Sequence, residues 1–572
     1  MSDSNELAWN EIDWNKIQQR ISRMQRRIYN AKKKENNVLI HKLQTKLINS
    51  FDARLISVRQ VTTLNKGKYT KGYDKKTYTR PKEKITLAQN LTIDGKSDYI
   101  RRVFIPKPGK NETRPLGIPT IKDRAKQNLV KLALEPEWEA IFEPGSYGFR
   151  PGRSCQDAIE NIFTSTRSKP KYVLDADISK CFDQIDHNKL IEKLNTTPQI
   201  SKQIKTWLQA DVMINFGNRN KVELNTGAGT PQGGIISPLL ANIALHGLGN
   251  YLKDQYVKSI YSNKKQGKIQ RAKELGYIRY ADDFVIICKD IEAVHEAKIN
   301  CEIWLKGIGL KLNENKTQIL STTQGFTFLG FYIILIKRNE KYRCKIQISS
   351  QNKKQLVSKC ALILNKNKAS SSFILIKQLA PVIIGWGNYF KYSECSEEFQ
   401  TMDHRIFGLL RSWVFRRKAQ GLNRTSIKEK YFPSDRLYVY QGVTHKDNWV
   451  LTGKYKTIDG KILSNYLPKL SWIKSEKFVK VKNIASIYNG DHIYWSLRLQ
   501  RYSFFGNRTK KLIRLQKGIC AICKNKFIPT DIIAIDHIIP LSKKGSNRIP
   551  NLQAIHKTCH IIKTRADRSL SN

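Results

Sequence analysis

Apolar residues recur at helical spacing through the first sixty positions of the chain. Two sets of them mark the inward faces of two predicted helices: Ile17, Ile21, Met24, Ile28 and then Leu39, Leu43, Leu47. The basic runs RMQRR and AKKKE occupy the opposite face, as expected of an amphipathic surface helix. The polar, turn-rich stretch NKGKYTKGYDKKTYTRPKEK then predicts a loop or linker. A helical N-terminal region over 1–65 follows from this pattern.

The pattern changes several times after this region. From about 98 to 335 short strands alternate with helices, 345–440 is predicted to be helical, and the last part is compact and rich in cysteine and histidine. A chain of 572 residues is too long for a single hydrophobic core. The predicted class is therefore multidomain α+β, divided as 1–65, 66–340, 341–440, 441–507 and 508–572.

Two predicted buried strands end in carboxylates. The stretch KYVLDADI ends at Asp177, and RYADDFVIIC places Asp282 and Asp283 between two apolar runs. Adjacent carboxylates at the end of buried strands are costly unless a cation neutralises them. Phosphoryl transfer with two metal ions needs carboxylates that converge from different strands. Either motif alone is also typical of an ordinary turn. Their ordered combination with the Gly-rich stretch at 227–243, which opens a helix, favours a catalytic site for phosphoryl transfer.

Net charge points to the class of partner. The chain has 101 Lys plus Arg against 48 Asp plus Glu, a net charge of +53 spread along its length. Such self-repulsion is typical of a nucleic-acid-binding protein, the alternative being a soluble basic protein without a polyanionic partner. The N-terminus has no apolar signal segment and no uncharged apolar run reaches 18 residues, so neither secretion nor a membrane partner is expected.

The C-terminal cysteines and histidines have metal-ligand spacing. Cys520 and Cys523 form one half-site and His556 and Cys559 the other, which is typical of a structural tetrahedral zinc site. A redox pair is disfavoured because His556 occupies the place of a second thiol. Asp536 and His537 end an apolar strand between the half-sites, and Asn551 and His560 follow. A zinc-ribbon DNA-binding tail without catalysis is the alternative to a nuclease.

The motifs together resemble a known family. RRVFIPKPG, RPLGIPTIKDRAKQ, FEPGSYGFRPGRS, DADISKCFDQIDH, GTPQGGIISPLLANI, RYADDFVIIC, LKLNENKTQIL and FTFLGF occur in the order found in the reverse transcriptase of group II intron-encoded proteins. The N-terminal helices resemble that family's N-terminal extension, and LAPVIIGWGNYFKY with FGLLRSWVFRR resembles its maturase (thumb) domain. The last segment resembles the HNH (ββα-metal) nuclease motif. The resemblance implies a right-hand polymerase with fingers, palm and helical thumb, a basic DNA-binding linker region and a small zinc-containing nuclease domain.

The resemblance also implies roles for single residues of the polymerase. Asp177 and Asp282 would hold two Mg²⁺ ions, with Asp283 beside them and the Ile178 carbonyl contributing. Phe182 would be the aromatic gate that excludes a ribose 2′-OH. The remaining implied contacts are the triphosphate with Lys107 and Arg114, the templating pair with Gln232, the carboxylates with Lys316, and the primer with Phe328, Leu329, Gly330 and Phe331. Without the family, Lys316 and Arg114 would be interpreted as surface charges and Phe182 as a core residue. Asp175, Asp183 and Asp186 are interpreted as structural.

In the nuclease motif, the resemblance makes His537 the base that activates water. Asp536 and His560 would hold one Mg²⁺, Asn551 would tie down the loop, and Cys520, Cys523, His556 and Cys559 would hold Zn²⁺. Arg416, Arg417 and Lys418, in the aromatic-basic helix of the maturase-like region, are candidates for RNA binding.

The expected function is splicing of the host intron and its homing into DNA by target-primed reverse transcription. The expected partners are the intron RNA, target DNA and dNTPs, with a homodimer left open. The expected location is the bacterial cytoplasm or an organelle that encodes the protein. A splicing factor without enzymatic activity and a reverse transcriptase of a defence or diversification system are the alternatives. The intact aspartates disfavour the first, and the maturase-like and HNH-like regions disfavour the second.

Overall fold

The computed structural model describes residues 9–106, 113–216, 219–223, 233–416, 423–483, 485–502 and 505–569. Its helices and sheets are organised around two large hydrophobic cores and a small C-terminal one. The mixture of helical and sheet-containing regions confirms the predicted multidomain α+β class.

The N-terminal region is helical, as predicted. It consists of α1 (Trp14–Lys33), α2 (Asn37–Asn49), α3 (Phe51–Arg59) and α4 (Pro81–Gln89). Asp13 caps α1 by accepting hydrogen bonds from two backbone N–H groups of the first turn. Ile21 and Ile28 on its inward face are fully buried, whereas Met24 is only partly buried. Part of the stretch predicted as a loop is α4, which begins at Pro81 because proline is favoured at the first position of a helix.

The next region contains a fingers-like sheet and the first elements of the palm. Its elements are β1 (Ile100–Pro106), β2 (Thr113–Ile118), α5 (Ile121–Glu139), α6 (Cys155–Thr166), β3 (Tyr172–Asp177), α7 (Cys181–Gln184), α8 (His187–Leu194), α9 (Pro198–Leu208), β4 (Val212–Phe216) and β5 (Arg219–Glu223). Strands β2, β1, β4 and β5 form one sheet in that order, with β1 parallel to β4.

The palm is completed by the elements from Ser237 onward, the first of which begins within the Gly-rich stretch. They are α10 (Ser237–Leu245), α11 (Leu248–Lys258), α12 (Lys268–Glu274), β6 (Gly276–Tyr280), β7 (Asp283–Cys288), α13 (Ile291–Lys306) and β8 (Gln318–Ser321). The palm sheet has the order β6-β7-β3-β8 and is antiparallel throughout. Helix α13 packs against β3 and β7, and the apolar run of β7 after Asp283 is completely buried.

The thumb starts with a three-stranded sheet, and one of the predicted boundaries falls within it. The thumb comprises β9 (Phe326–Phe328), β10 (Phe331–Arg338), β11 (Lys341–Ile348), α14 (Ser350–Lys366), α15 (Ser372–Phe390), α16 (Ser396–Phe415) and α17 (Arg424–Tyr431). The predicted boundary at 340/341 falls in the turn of the β10–β11 hairpin, where Arg338 pairs with Lys341. The helix predicted to begin near 345 is a strand up to Ile348, because Cys344, Ile346 and Ile348 alternate into the core.

One thumb helix has an unusually apolar composition. By length and composition alone, α15 could span a membrane, and it is the one such helix among the described residues. Its residues Leu375, Leu379 and Ile383 are buried in the thumb core. This burial accounts for the apolar face of α15.

Two hairpins and a helix connect the thumb to the C-terminal region. They are β12 (Leu437–Tyr440), β13 (Val443–Lys446), β14 (Thr452–Lys456), β15 (Ile462–Tyr466) and α18 (His492–Tyr502). The predicted boundary at 440/441 falls in the turn of the β12–β13 hairpin, where Gln441 and Gly442 both have positive φ. The next helix, α19 (Asn507–Leu515), spans the predicted boundary at 507/508.

The C-terminal region is a two-stranded ribbon followed by a helix. Strand β16 (Ile533–His537) pairs with β17 (Leu552–His556), and α20 (Lys557–Ser569) begins directly after β17. Every residue of β16 is only partly buried, so this region has far less core than the palm.

Candidate active sites

Three carboxylates predicted from the sequence lie together at one edge of the palm sheet. The register of β3 and β7 pairs Asp177 with Asp283, and β6 pairs Tyr280 with the same Asp283. Asp282 therefore lies in the turn between β6 and β7, beside the end of β3. The backbone register alone is enough to bring these side chains into one cleft.

A buried arginine holds the turn that carries Asp282. Ala281 has a positive φ of 60°, which is strained for a residue with a side chain. Arg279 is fully buried and donates hydrogen bonds to the Ala281 carbonyl (2.9 Å), the Asn242 side chain (3.0 Å) and the Ser146 hydroxyl (2.8 Å). The sequence analysis missed this role. The available signal was a charged residue inside an otherwise apolar strand.

Burial, together with the neighbouring negative charges, raises the pKa values of Asp282 and Asp283. Desolvation and the negative charges of Asp282 and Asp177 raise the pKa of Asp283 to about 7. Burial, followed by the charge of Asp177, raises the pKa of Asp282. Asp175, which was predicted to be structural, adds to this field, and burial and Asp177 raise its pKa to about 7. A cleft with this excess of negative charge fits divalent cations.

Lys316 provides one positive charge to this cleft. Its ammonium forms an ion pair with a carboxylate oxygen of Asp177, and this hydrogen bond raises the pKa of Lys316. The loop that carries Lys316 is attached to the strand end, because the Asn313 backbone N–H donates to the Asp177 carbonyl at 2.8 Å. Ile178 forms a β-bridge with Leu312 in the same loop and is buried. The structure thus brings Lys316 to the carboxylates, as the family resemblance implied.

The predicted nucleotide contacts are only partly within the described residues. Arg114 is exposed on β2, and its charge acts to lower the pKa of Asp282, against the net upward shift. Lys107 and Gln232 lie outside the described residues. Gly233, next to Gln232, approaches β2 so closely that a Cβ there would lie 2.3 Å from the Gly117 carbonyl oxygen. The end of the Gly-rich stretch therefore contacts the fingers sheet.

Phe182 lies on the short helix α7, one turn beyond Asp177. Its ring is partly buried and meets the ring of Phe149 edge-on, with the centroids 6.3 Å apart and the planes at 76°. Phe149 was not predicted from the sequence, because the contact joins two segments that are distant along the chain.

The predicted primer grip is the turn between β9 and β10. Phe328 pairs with Phe331 across the hairpin, and Leu329 and Gly330 form the turn with φ of 49° and 85°. The Tyr389 hydroxyl on thumb helix α15 donates to the Leu329 carbonyl at 3.0 Å, and the Tyr389 ring stacks on Phe331 at 5.5 Å. The turn is therefore held by the thumb.

The four predicted zinc ligands converge at the start of α20. The ligand atoms of Cys520, Cys523, His556 and Cys559 all lie within 4.8 Å of one another. Hydrogen bonds with Cys523 and Cys559 lower the pKa of Cys520, whereas hydrogen bonds with Cys520 and Cys559 raise the pKa of Cys523, because these close thiols share their protons. The Nε2 atom of His556 lies 3.1 Å from a carboxylate oxygen of Asp531, and such a carboxylate–histidine pair is typical of zinc sites.

The predicted nuclease residues surround the end of the β16–β17 ribbon. A carboxylate oxygen of Asp536 lies 3.7 Å from the His560 ring, and His537 follows Asp536 at the end of β16. The Asn551 amide donates to the Ile539 and Ser546 carbonyls at 3.0 and 2.7 Å, and its oxygen accepts from the Ile539 N–H at 2.9 Å. Asn551 therefore closes the loop that follows His537.

A lysine missed by the sequence analysis lies at the same place. The Lys563 ammonium is 3.1 Å from the other carboxylate oxygen of Asp536 and donates to the His537 carbonyl at 2.9 Å. Lys563 follows His560 by three residues on one helix, so helical spacing would have placed both on one face.

One of the predicted RNA-binding residues, Arg416, lies at the end of thumb helix α16. Arg416 is exposed directly after the last residue of this helix. Arg417 and Lys418 lie outside the described residues.

Four family models match successive parts of the chain. They are the N-terminal domain of reverse transcriptase at 9–91, reverse transcriptase (RNA-dependent DNA polymerase) at 105–333, the group II intron maturase-specific domain at 353–432 and HNH endonuclease at 520–566. The chain belongs to the group II intron-encoded proteins. It contains the reverse transcriptase, maturase and HNH endonuclease domains of this family, as the sequence predicted.

Similar proteins come from several organisms. Protein YkfC of Escherichia coli is 30% identical over 56% of this chain and 91% of that protein. Group II intron-encoded protein LtrA of Lactococcus lactis is 31% identical over 55% of this chain, and the match spans 60% of the length of LtrA. Maturase-like protein 1 of Euglena gracilis is 26% identical over 74% of this chain and 84% of that protein.

Proposed function

We propose that this group II intron-encoded protein assists splicing of its host intron and then carries the intron into DNA. In this proposal the nuclease nicks one strand of the target, and the polymerase copies the intron RNA from the 3′ end that the nick exposes. The observation that supports it most directly is the palm register of Asp177 opposite Asp283, in a chain that also has a cysteine-histidine cluster beside a nuclease-like ribbon.

In the polymerase, Asp177 and Asp282 would hold two Mg²⁺ ions, with Asp283 and the Ile178 carbonyl beside them. When bound, these ions would supply Lewis-acid activation of the primer 3′-OH and the triphosphate. The neighbouring residues position the substrates. Lys107 and Arg114 would bind the triphosphate, Gln232 would pack on the templating pair, Phe182 would exclude the 2′-OH, and Phe328 to Phe331 would hold the primer. Lys316 would keep the Asp177 carboxylate oriented through its ion pair.

In the nuclease, His537 would act as the general base toward water. Asp536 and His560 would hold one Mg²⁺, which would stabilise charge on the scissile phosphate. Asn551 would fix the loop through its three hydrogen bonds. Zn²⁺ held by Cys520, Cys523, His556 and Cys559 would join the turn that carries Cys520 and Cys523 to α20, the helix that presents His560.

The surface charge suits the proposed partners, which are intron RNA, target DNA and dNTPs. A net charge of +53 favours phosphate contacts whose strength falls steeply with salt. Arg416, Arg417 and Lys418 would contribute to intron binding from the thumb. The proposed location is the bacterial cytoplasm, or an organelle that encodes the protein.

A coupled assay tests this function. Protein assembled with group II intron RNA is given double-stranded target DNA and dNTPs, and cDNA joined covalently to the nicked strand is measured. His537→Ala should remove the joined product, because no nick supplies a primer, while extension of a separately annealed primer continues. His492→Ala changes an exposed histidine on α18 and is the matched control. Joined cDNA at the normal level with His537→Ala would contradict the proposal.

A further inference from the structure

Phe149 combines features that rarely occur together in one residue. Its side chain is 51% exposed, although it is a large apolar group, and it lies in the loop before α6. Its φ is +60°, which is a genuine outlier for a bulky residue. An exposed aromatic gains little from burial, so packing does not explain why the chain keeps a phenylalanine in this conformation. Strain of this kind is concentrated at functional sites.

The residues on both sides hold the backbone of Phe149 in this positive-φ conformation. Gly148 packs so tightly against the Asp282 turn that a Cβ would lie 2.2 Å from the Ala281 nitrogen, and the Asn242 amide donates to the Gly148 carbonyl at 2.8 Å. Arg150 is buried and donates two hydrogen bonds to Glu139, at 2.9 and 2.8 Å. The backbone of Phe149 is thus fixed by the turn that carries Asp282 and by a buried ion pair.

The ring of Phe149 contacts the ring of Phe182. The two rings meet edge-on at 76°, with the centroids 6.3 Å apart, which is a favourable aromatic geometry. Phe182 lies on α7, a helix of only one turn, and its ring is only partly buried. A neighbouring ring on a backbone held in place would limit how far the Phe182 ring can turn.

We propose that Phe149 is a positioning residue for sugar selection. It holds the Phe182 ring across the sugar edge of the nucleotide site, so that the ring does not turn aside for the 2′-OH of a ribonucleoside triphosphate. The inference rests on the proposed role of Phe182 as the sugar gate. Phe149 acts through Phe182 and contacts neither the triphosphate nor the metal ligands in this role.

Single-nucleotide extension by the full chain tests the inference. The measured quantity is kcat/KM for a dNTP divided by kcat/KM for the matching rNTP. Phe149→Ala should lower this ratio about ten-fold, mainly by raising kcat/KM for the rNTP. The interaction free energy of an edge-on aromatic pair corresponds to a factor of about ten at most. Phe149→Tyr keeps the ring and should retain the normal ratio. Phe51→Ala is the matched control, because Phe51 is also a half-exposed phenylalanine, at 47%, but begins helix α3 of the N-terminal region.

A second pair of variants separates this role from a contribution to folding. Phe149→Gly also removes the ring, but glycine adopts positive φ without strain. It should lower the ratio as much as Phe149→Ala does, and it should melt at a higher temperature than Phe149→Ala. If Phe149→Gly retains the normal ratio, the proposal is overturned, because the backbone conformation and not the ring would then explain the loss of sugar selection in Phe149→Ala.

The double variant shows whether Phe149 acts through the gate. Phe149→Ala combined with Phe182→Ala should lower the ratio no further than Phe182→Ala alone, within about two-fold. Independent, multiplicative effects would contradict the inference. If Phe182→Ala relaxes selection and Phe149→Ala does not, the inference fails while the gate stands. If Phe182→Ala leaves the ratio unchanged, the proposed gate itself fails, and the inference fails with it.

Discussion

The palm and the C-terminal domain both present acidic residues at the ends of antiparallel strands, but they support them differently. In the palm, β3 and β7 are central strands of a four-stranded sheet, and β7 is buried from Phe284 to Cys288. In the C-terminal domain, Asp536 and His537 end a two-stranded ribbon whose first strand is nowhere fully buried. Two of the few buried residues in that domain's core are Cys520 and Cys559 themselves.

This difference indicates two ways of building a metal site. The palm forces its carboxylates together by packing, and their raised pKa values reflect the electrostatic cost. In the C-terminal domain, the Lys563 ammonium lies 3.1 Å from one carboxylate oxygen of Asp536, and the His560 ring lies 3.7 Å from the other. The hydrophobic core of this domain is small and includes two of the four predicted zinc ligands, so we expect the domain to depend on zinc for its stability. We therefore expect the palm to fold without metal and to need metal only for catalysis, whereas the nuclease should need zinc in order to fold.

The largest expected effect is the loss of the palm carboxylates. Asp282→Ala combined with Asp283→Ala should lower primer extension on an RNA template by about three orders of magnitude or more, because the charges that position the metal ions are gone. Nicking of target DNA should remain within about two-fold of normal. Asp254→Ala, which changes an exposed acidic residue on α11, is the control. Nicking that falls together with extension would show that the two sites are coupled.

Removal of a zinc ligand should have the next largest effect. Cys520→Ser or Cys559→Ser should abolish the bound zinc, measured by metal analysis, and reduce nicking about a hundred-fold or more, because opening a structural zinc site unfolds a domain of this size. Primer extension should be unchanged. Cys360→Ala, in thumb helix α14, should retain one zinc per chain. A nuclease that remains folded and active without zinc would refute the contrast between the two sites.

A smaller effect is expected at Asn551. Asn551→Ala removes three hydrogen bonds that close the loop after His537, so nicking should fall about ten- to a hundred-fold while zinc content stays at one per chain. Asn525→Ala, on the surface of the same domain, should be close to normal, because its side chain contacts Gln19 at a long 3.4 Å. Equal losses in both variants would mean that general destabilisation, rather than the loop, limits nicking.

The smallest effect is expected from the thumb charges. Changing Arg416, Arg417 and Lys418 to glutamine should weaken intron RNA binding several-fold, and the salt dependence of log Kd should become shallower by about one unit per lost phosphate contact. Arg405→Gln, an exposed change on the same helix α16, is the control. An unchanged salt slope in the triple variant would remove these residues from the RNA interface.

The sequence predicted well those features that can be recognised in short stretches of the chain. It predicted less well those that depend on packing between segments. Strand-end aspartates and the Cys520–Cys559 spacing are local patterns, and the structure brings both sets together. The predicted boundaries at 340/341 and 440/441 fall in hairpin turns, because hairpin turns and linkers share the same polar residues. The sequence does contain a signal for β11, since Cys344, Ile346 and Ile348 are apolar at every second position. This short alternation was included in the longer segment predicted to be helical.

Contacts between distant segments could not be predicted from one sequence. The clamp of Arg279 on Ala281 also joins Ser146 and Asn242, which lie more than thirty residues away from it. The edge-on contact of Phe149 with Phe182 depends on a strained backbone that leaves no compositional trace. Lys563 is different, because helical spacing from His560 would have revealed it.

Hydrogen exchange of the full chain with and without zinc tests the central claim most directly. After zinc is removed by a thiol-competitive chelator and Mg²⁺ is restored, amides in 520–569 should exchange as in an unfolded segment, while β3, β6 and β7 keep their protection and primer extension continues. Re-addition of zinc should restore protection and nicking together. Protection in 520–569 that survives complete zinc loss, or protection of the palm strands that disappears with it, would contradict the account.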